Sequence, residues 1–334
     1  MWCQIWRCRI RLLARCVDPR LLLRRISSAF FCEFPLMSDT PPQPQPLSRR
    51  RLGVGLAGGL TALAAACSPL TAFNTLAPRD PARRVGRDLA YGADPMQSLD
   101  IYAPEGGATG LPVAVFFYGG GWDSGRRQDY GFVGQALASR GFLTVVAGYR
   151  LVPQVRYPAF VEDAAAAIAW CLGHVQAFGG DPGRLVLVGH SAGAYNALQV
   201  ALDPTFLRQV GVDPARVRAV AGLSGPYDFL PLDVAATKAA FGGYRDLPDT
   251  QPINHVRPGA PPIFLGHGSK DTLVWPRNSV RLAKALTQAG DTVELKIYPG
   301  LDHPDTVLAL SRPFRGKAPI LAEMTDFLMD HAGP

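Results

Sequence analysis

The sequence predicts an α/β fold, a mostly parallel central sheet flanked by helices. Three observations carry this. Apolar runs of strand length recur along the chain, helical stretches fall between them, and glycine-rich turns follow two of the runs. Runs that are apolar throughout suit strands buried on both faces, as parallel sheets require. The chain has 334 residues, of which 48% are hydrophobic, enough for one large core.

Taken in order, QSLDIYAP (97–104) alternates like a half-buried strand. PVAVFFY (112–118), FLTVVAGY (142–149), RLVLVGH (184–190) and RAVAGLSG (218–225) are continuous apolar runs, and PIFLGHG (262–268) and VELKIYP (293–299) follow. Helices are predicted over 130–141, 160–180, 279–290 and 319–333, with glycine where a C-cap is expected. This alternation implies βαβ units. The Pro-rich stretch 247–262 is a long connection, read as part of a small cap or loop region over a site. No internal repeat is found.

The charge of the chain, +7, is unevenly spread. Residues 1–67 hold ten of the 34 basic residues and three of the 27 acids, so 24 basic residues face 24 acidic ones in the remainder. A neutral body gives no electrostatic case for nucleic acid. The basic segment reads as targeting. Ser48 to Cys67 has an arginine cluster, a short apolar run and small residues before a cysteine, too short for a comfortable membrane span. Arg49 and Arg50 resemble a twin-arginine export signal. LAAAC resembles a lipoprotein-processing site with Cys67 as the lipidated residue. Plain cleavage near Ala66 and an uncleaved anchor are the alternatives.

Residues 1–36 carry seven Arg and four of the six Cys ahead of Met37. They read as an upstream extension with the start at Met37, the alternative being an organelle presequence. Residues 37–67 are then the export signal, 68–94 a linker and 95–334 the catalytic domain. The location expected is the periplasm or a lipid anchor on a bacterial membrane, with the cytoplasm as alternative. One internal thiol, Cys171, makes no disulfide framework, and no metal-ligand cysteine spacing exists.

GHSAG, Gly189 to Gly193, lies between the run RLVLV and the helix-friendly AYNALQVAL. Gly189 and Gly193 permit a sharp turn that projects Ser191, and the Ala192 N–H at a helix start suits an oxyanion. Alone, the pattern is an ordinary β–α turn. A second glycine run, Tyr118 to Trp122, follows PVAVFF, where backbone N–H groups meet a ligand unobstructed.

A nucleophilic serine needs a base and a group to orient it. His303 follows the last strand, on the sheet edge that Ser191 occupies, and is the choice among six histidines. His174 lies mid-helix, His190 is beside the serine, His255 is in the Pro-rich connection, His331 is at the terminus, and His267 closes a strand in a structural setting. Asp271, after PIFLG, is the expected acid. Asp228 is the runner-up and Asp302 is too close to His303 in sequence. The order Ser191, Asp271, His303 is the one expected when each follows its own strand.

YGGGW, GYRLVPQVRYPAFVEDAAAA, GHSAG, GSKDTLV and GLDH together resemble the α/β-hydrolases of the bacterial esterase/lipase branch, feruloyl-esterase-like and hormone-sensitive-lipase-like carboxylesterases. The resemblance covers residues 95–332. It implies an α/β-hydrolase fold and a serine hydrolase acting on carboxylic esters of small to medium acyl chain through an acyl-enzyme, with no cofactor and no metal. Gly120, Gly121 and Ala192 become oxyanion donors, and Asp163 an acid that supports the fold. Trp122 and Tyr227 are candidate pocket walls, with core packing the alternative. Two residues depart from the pattern. Tyr118 stands where histidine is usual, and GYRL replaces the commoner DYRL. Two other functions stay open: a kynurenine-formamidase-like amide hydrolase and a non-catalytic binding protein of the same fold.

Overall fold

The computed structural model describes residues 69–333, so the leader and Cys67 lie outside the described residues. A short helix, α1 (Pro69–Leu76), comes first. The chain from Leu76 onward forms one compact unit. Its strands are β1 (Ala82–Ala90), β2 (Ser98–Pro104), β3 (Leu111–Phe117), β4 (Leu143–Ala147), β5 (Gly180–His190), β6 (Val217–Leu223), β7 (Ile263–Gly268) and β8 (Val293–Tyr298). Its helices are α2 (Gly131–Ala138), α3 (Ala159–His174), α4 (Ala192–Leu202), α5 (Pro204–Gln209), α6 (Ala235–Phe241), α7 (Arg277–Ala289), α8 (Asp305–Leu308) and α9 (Ile320–His331).

The strands form one eight-stranded sheet in the order β1-β2-β4-β3-β5-β6-β7-β8. β2 is antiparallel to both its neighbours, and every pairing from β4 to β8 is parallel. Parallel neighbours need crossovers. Helices α2, α3, α4 and α7 supply four of them. α2 packs with α9 on one face, and α3 packs with α4 on the other. All seven residues of β3 are buried, as is every residue of α4. Each such Val, Leu or Phe contributes about 1.5–3 kcal/mol on burial. The small side chains of AGAYNALQVAL let α4 lie close between sheet and α3.

Three sequence expectations need correction. The sequence reads residues 82–90 as linker, but they form β1. Its sequence, ARRVGRDLA, lacks an apolar face because it is an edge strand, exposed along most of its length and irregular at Gly86. An edge pairs on one side only, so its polar residues tell little. The predicted helix 160–180 ends at His174. A single turn, Val175–Phe178, then closes on Gly179 in the left-handed region. β5 in turn begins at Gly180, since that residue and Asp181 pair with Leu111 and Pro112 before an irregularity in the register.

Asp163, on α3, ties the sheet edge down. Its carboxylate accepts from the Arg150 backbone N–H (2.8 Å), the Arg150 guanidinium (2.6 Å at the closest) and Gln97 Nε2 (2.7 Å). The chain order reverses around β3, with β4 on one side and β5 on the other. Open α/β sheets place their sites at the carboxyl ends of strands at such a point.

Candidate active site

Ser191 occupies that point. It follows β5 directly, with φ 55° and ψ −123°. A non-glycine residue held there stores about 1–3 kcal/mol of backbone strain. The surroundings enforce it. The Ser191 N–H donates to the Leu223 carbonyl at 2.9 Å and its own carbonyl accepts from the Tyr195 N–H at 3.1 Å. Gly193 is needed for close approach, because a Cβ there would lie 2.1 Å from the Phe117 carbonyl oxygen of β3. The elbow thus presses against the neighbouring strand and presents the Ser191 hydroxyl at the sheet's edge.

Two more side chains from the same edge converge on it. His303, after β8, places Nε2 2.8 Å from Ser191 Oγ. Its Nδ1 lies 2.7 Å from Asp271 Oδ2. The other Asp271 oxygen, Oδ1, accepts from the backbone N–H groups of Leu273 (3.1 Å) and Val274 (2.8 Å). Burial pushes the Asp271 carboxyl up, but hydrogen bonds from His267 and His303 outweigh it and hold the group well below the usual carboxylate range. An ionised Asp271 requires a hydrogen on His303 Nδ1, which leaves Nε2 free to accept from the serine hydroxyl. Asp228, the runner-up, is instead paired with Arg281 at 2.7 Å.

The glycine run after β3 bends back beside the serine. The Gly120 carbonyl accepts from the N–H groups of Asp123 (3.2 Å) and Ser124 (3.0 Å) and from Ser124 Oγ (2.8 Å). Gly120 has φ 138°, and a Cβ there would stand 2.2 Å from the Ser124 carbonyl oxygen. Ala192 opens α4, where the first N–H groups have no intrahelical acceptor. A Cβ on Gly119 would be 2.9 Å from that of Ser191, so this turn and the elbow are in contact.

The chain is also similar to known proteins. It is 31% identical over 257 residues to isoprenylcysteine alpha-carbonyl methylesterase of Arabidopsis thaliana, covering 70% of this chain and 59% of that one. It is 32% identical over 209 residues to esterase LipC of Mycobacterium tuberculosis, covering 56% and 51%. It therefore spans only about half to three fifths of the length of these two relatives. Among solved structures, a phosphonate-inhibited esterase B of Lactobacillus rhamnosis superposes with a TM-score of 0.69 at 24% identity, over 81% of this chain and 92% of that one. The family model BD-FAE matches residues 99–286, more than half of the chain. The chain belongs to the BD-FAE family. Its fold is that of the α/β-hydrolase esterases.

Within this BD-FAE chain, the two residues expected to wall the pocket are placed elsewhere. Trp122 is 2% exposed and its indole N–H donates to Asn196 Oδ1 on α4 at 3.1 Å. Its ring meets Tyr195 and Phe241 edge-on, with centroids 5.2 and 4.9 Å away. Trp122 therefore pins the glycine turn to α4 from inside the core. Tyr227 is fully buried, its hydroxyl wedged against Gly222 and Gly225 of the β6 end. Both are packing residues because the loops after β3 and β6 fold inward over α4.

The departures from the esterase pattern have local causes. Tyr118 stacks on Tyr149 (4.6 Å) and Tyr130 (5.5 Å), and its carbonyl accepts from the Tyr149 hydroxyl at 2.7 Å. An aromatic column thus holds the turn where histidine is usual. Gly148 has no room for a side chain, since a Cβ would be 2.3 Å from the Met96 carbonyl oxygen. The Pro-rich connection packs down on α4, where the Tyr195 hydroxyl donates to the Thr250 carbonyl at 2.7 Å. α6 lies against the glycine turn, with Ala236 Cβ 3.3 Å from where a Gly121 Cβ would be.

Two histidines border the site in ways their sequence positions did not reveal. His190 is buried, and Nε2 sits 3.1 Å from the His303 carbonyl. His267 is fully buried beside Asp271. His174, His255 and His331 bond backbone carbonyls away from the serine.

Proposed function

We propose that this chain is a carboxylesterase working through Ser191, His303 and Asp271. The observation that carries the reading is the unbroken hydrogen-bonded line, 2.8 and 2.7 Å, from a hydroxyl on a strained elbow to a buried carboxylate. His303 Nε2 takes the Ser191 proton as the oxygen attacks the ester carbonyl. Asp271 fixes the imidazole tautomer and stabilises its charged form. Backbone N–H groups of Gly120, Gly121 and Ala192 receive the oxyanion, each worth roughly 2.7–4 kcal/mol in the barrier. His303 returns the proton to the departing alkoxide. It then activates a water that cleaves the acyl-enzyme and frees the acid.

Support for small or medium acyl groups comes from relatives. Esterase B carries a tributyrin phosphonate, whose acyl groups are butyryl; the methyl ester in the name of the Arabidopsis thaliana enzyme concerns the alcohol side of the bond and supports ester cleavage only. Wild type should hydrolyse p-nitrophenyl acetate and butyrate, and Ser191→Ala should not. A fluorophosphonate probe should add its mass to the peptide containing Ser191. An unlabelled Ser191 in active protein overturns the reading. Faster turnover of N-formylkynurenine than of the esters replaces it with amide cleavage. The N-terminal export signal and a lipid on Cys67 are proposed with it. The mass of the N-terminal peptide from exported protein tests both.

A further inference from the structure

We propose that His267 is a positioning residue for this site, holding the Asp271 carboxylate in the one orientation that receives His303. The proposal rests on the catalytic reading above. His267 lies near the end of β7 and is fully buried. Its Nε2 is 2.7 Å from the Val274 carbonyl oxygen and 3.2 Å from Asp271 Oδ2. Both partners are acceptors, so Nε2 carries the hydrogen; it donates to the Val274 carbonyl, and the same edge of the ring faces Asp271 Oδ2. Its Nδ1 is 2.8 Å from Ser279 Oγ on α7, which fixes the plane of the ring. One imidazole therefore joins strand, loop and helix around a single carboxylate.

The consequence lies in the geometry of Oδ2. Loop N–H groups hold Oδ1, while Oδ2 receives His303 and faces His267. With N–H groups on Oδ1, and with His303 and the His267 ring edge on either side of Oδ2, the carboxylate has one orientation. Without His267, Oδ2 has His303 alone, and the Val274 carbonyl loses its side-chain donor. The loop that carries Asp271 is then free to shift. Displacement of a catalytic group by about 1 Å costs on the order of 100-fold in rate. Because His267 has no exposed surface, an ester never touches it, and the loss falls on kcat, not KM.

The test compares three substitutions with wild type on p-nitrophenyl butyrate, with kcat normalised to active sites titrated by the fluorophosphonate probe. His267→Phe keeps a ring and removes both nitrogens. His267→Asn keeps a polar group toward Ser279 but falls short of Asp271, and carries the test if the Phe variant does not fold. His267→Gln returns an amide N–H to the position of Nε2. We expect kcat to fall about 10- to 100-fold in the Phe and Asn variants, the rate equivalent of one hydrogen bond to a charged group, with KM within about twofold. The Gln variant should recover most of the loss. A wild-type kcat in His267→Asn, or a Gln variant as impaired as the Asn one, overturns the proposal. An inactive wild type, or an active Ser191→Ala, overturns the catalytic reading itself and is read from those two proteins alone.

Discussion

His190 Nε2 lies 3.1 Å from the backbone carbonyl oxygen of His303, 113 residues away in sequence. A carbonyl only accepts, so Nε2 carries a hydrogen and the ring holds the loop after β8 against the elbow. Burial, and then the nearby His303, lower the His190 pKa to about 3. An unfolded histidine titrates near about 6.5. Between those values the unfolded chain binds the proton and the folded one does not. Stability from the neutral ring is therefore complete above about pH 6.5 and lost as pH falls toward 3. From pH 6.5 to 5 the loss from this one residue is about 2 kcal/mol. Asp271 acts lower, since its depressed carboxyl destabilises the fold only below about pH 4. Urea titrations at pH 6.5 and 5 should show a shallower pH slope for His190→Gln than for wild type. Parallel slopes would refute the assignment.

The choice between two carboxylates gives a second prediction. Asp271 meets His303 at 2.7 Å, and Asp228 meets Arg281 at 2.7 Å, with 25% of the Asp228 side chain exposed. Asp271→Asn removes the group that sets the imidazole tautomer. Its kcat should drop on the order of 10³–10⁴-fold, the size seen for such aspartates in serine proteases. Asp228→Asn breaks only a partly exposed pair and should stay within about 1 kcal/mol of wild-type stability, with kcat little changed. Equal losses in the two variants would rule out the triad as drawn.

Much of this was legible in the sequence. The parallel core, the elbow and the order of Ser191, Asp271 and His303 follow from apolar runs and from what stands directly after each run. The edge strand β1 was not legible, because exposed arginines in an edge strand look like a polar linker. The burial of Trp122 and Tyr227 was not legible either. Aromatic residues next to a site suit wall and core equally, and only the inward fold of their loops decides. The roles of His190 and His267 depend on contacts across the sheet edge. A local pattern carries no sign of a partner 113 residues away.

Crowding at the glycine turn proposed to hold the oxyanion supplies a third prediction. A Cβ on Gly120 would sit 2.2 Å from a backbone oxygen, at φ 138°, a region side chains avoid. That oxygen belongs to Ser124, whose hydroxyl donates to the Gly120 carbonyl, so the turn has little room to relax. In Gly120→Ala the turn must open and move its N–H groups away from the position proposed for the oxyanion. Loss of one donor costs roughly 10²–10³-fold in kcat. Gly107→Ala is the control, since its φ is also positive, 69°, but nothing lies within 4 Å of a Cβ there. Steady-state kinetics should show the loss in Gly120→Ala only. A Gly120→Ala enzyme with wild-type kcat would place the oxyanion elsewhere.

The last prediction concerns the anchor beneath the site. Asp163 is 1% exposed, and its two oxygens accept from Arg150 N, Nε and Nη2 and from Gln97 Nε2. The anchored chain continues into the loop whose Val152 N–H donates to the Trp122 carbonyl at 2.8 Å. Asp163→Asn preserves the shape but has one accepting oxygen where there were two. It sets an NH₂ group against donors and leaves Arg150 without its counter-charge. Removing one partner from a buried pair costs about 3–5 kcal/mol, and the partial exposure of Arg150, 25% at its side chain, puts this one near about 3. In a domain of this size that lowers Tm by roughly 6–12 °C. The serine, imidazole and carboxylate are not among the Asp163 partners. The kcat per titrated active site should therefore stay within about threefold of wild type at temperatures where the variant is folded. Calorimetry showing a Tm within about 2 °C of wild type would contradict the anchoring role. A large loss of kcat at unchanged Tm would mean that Asp163 acts on the site, not on the fold.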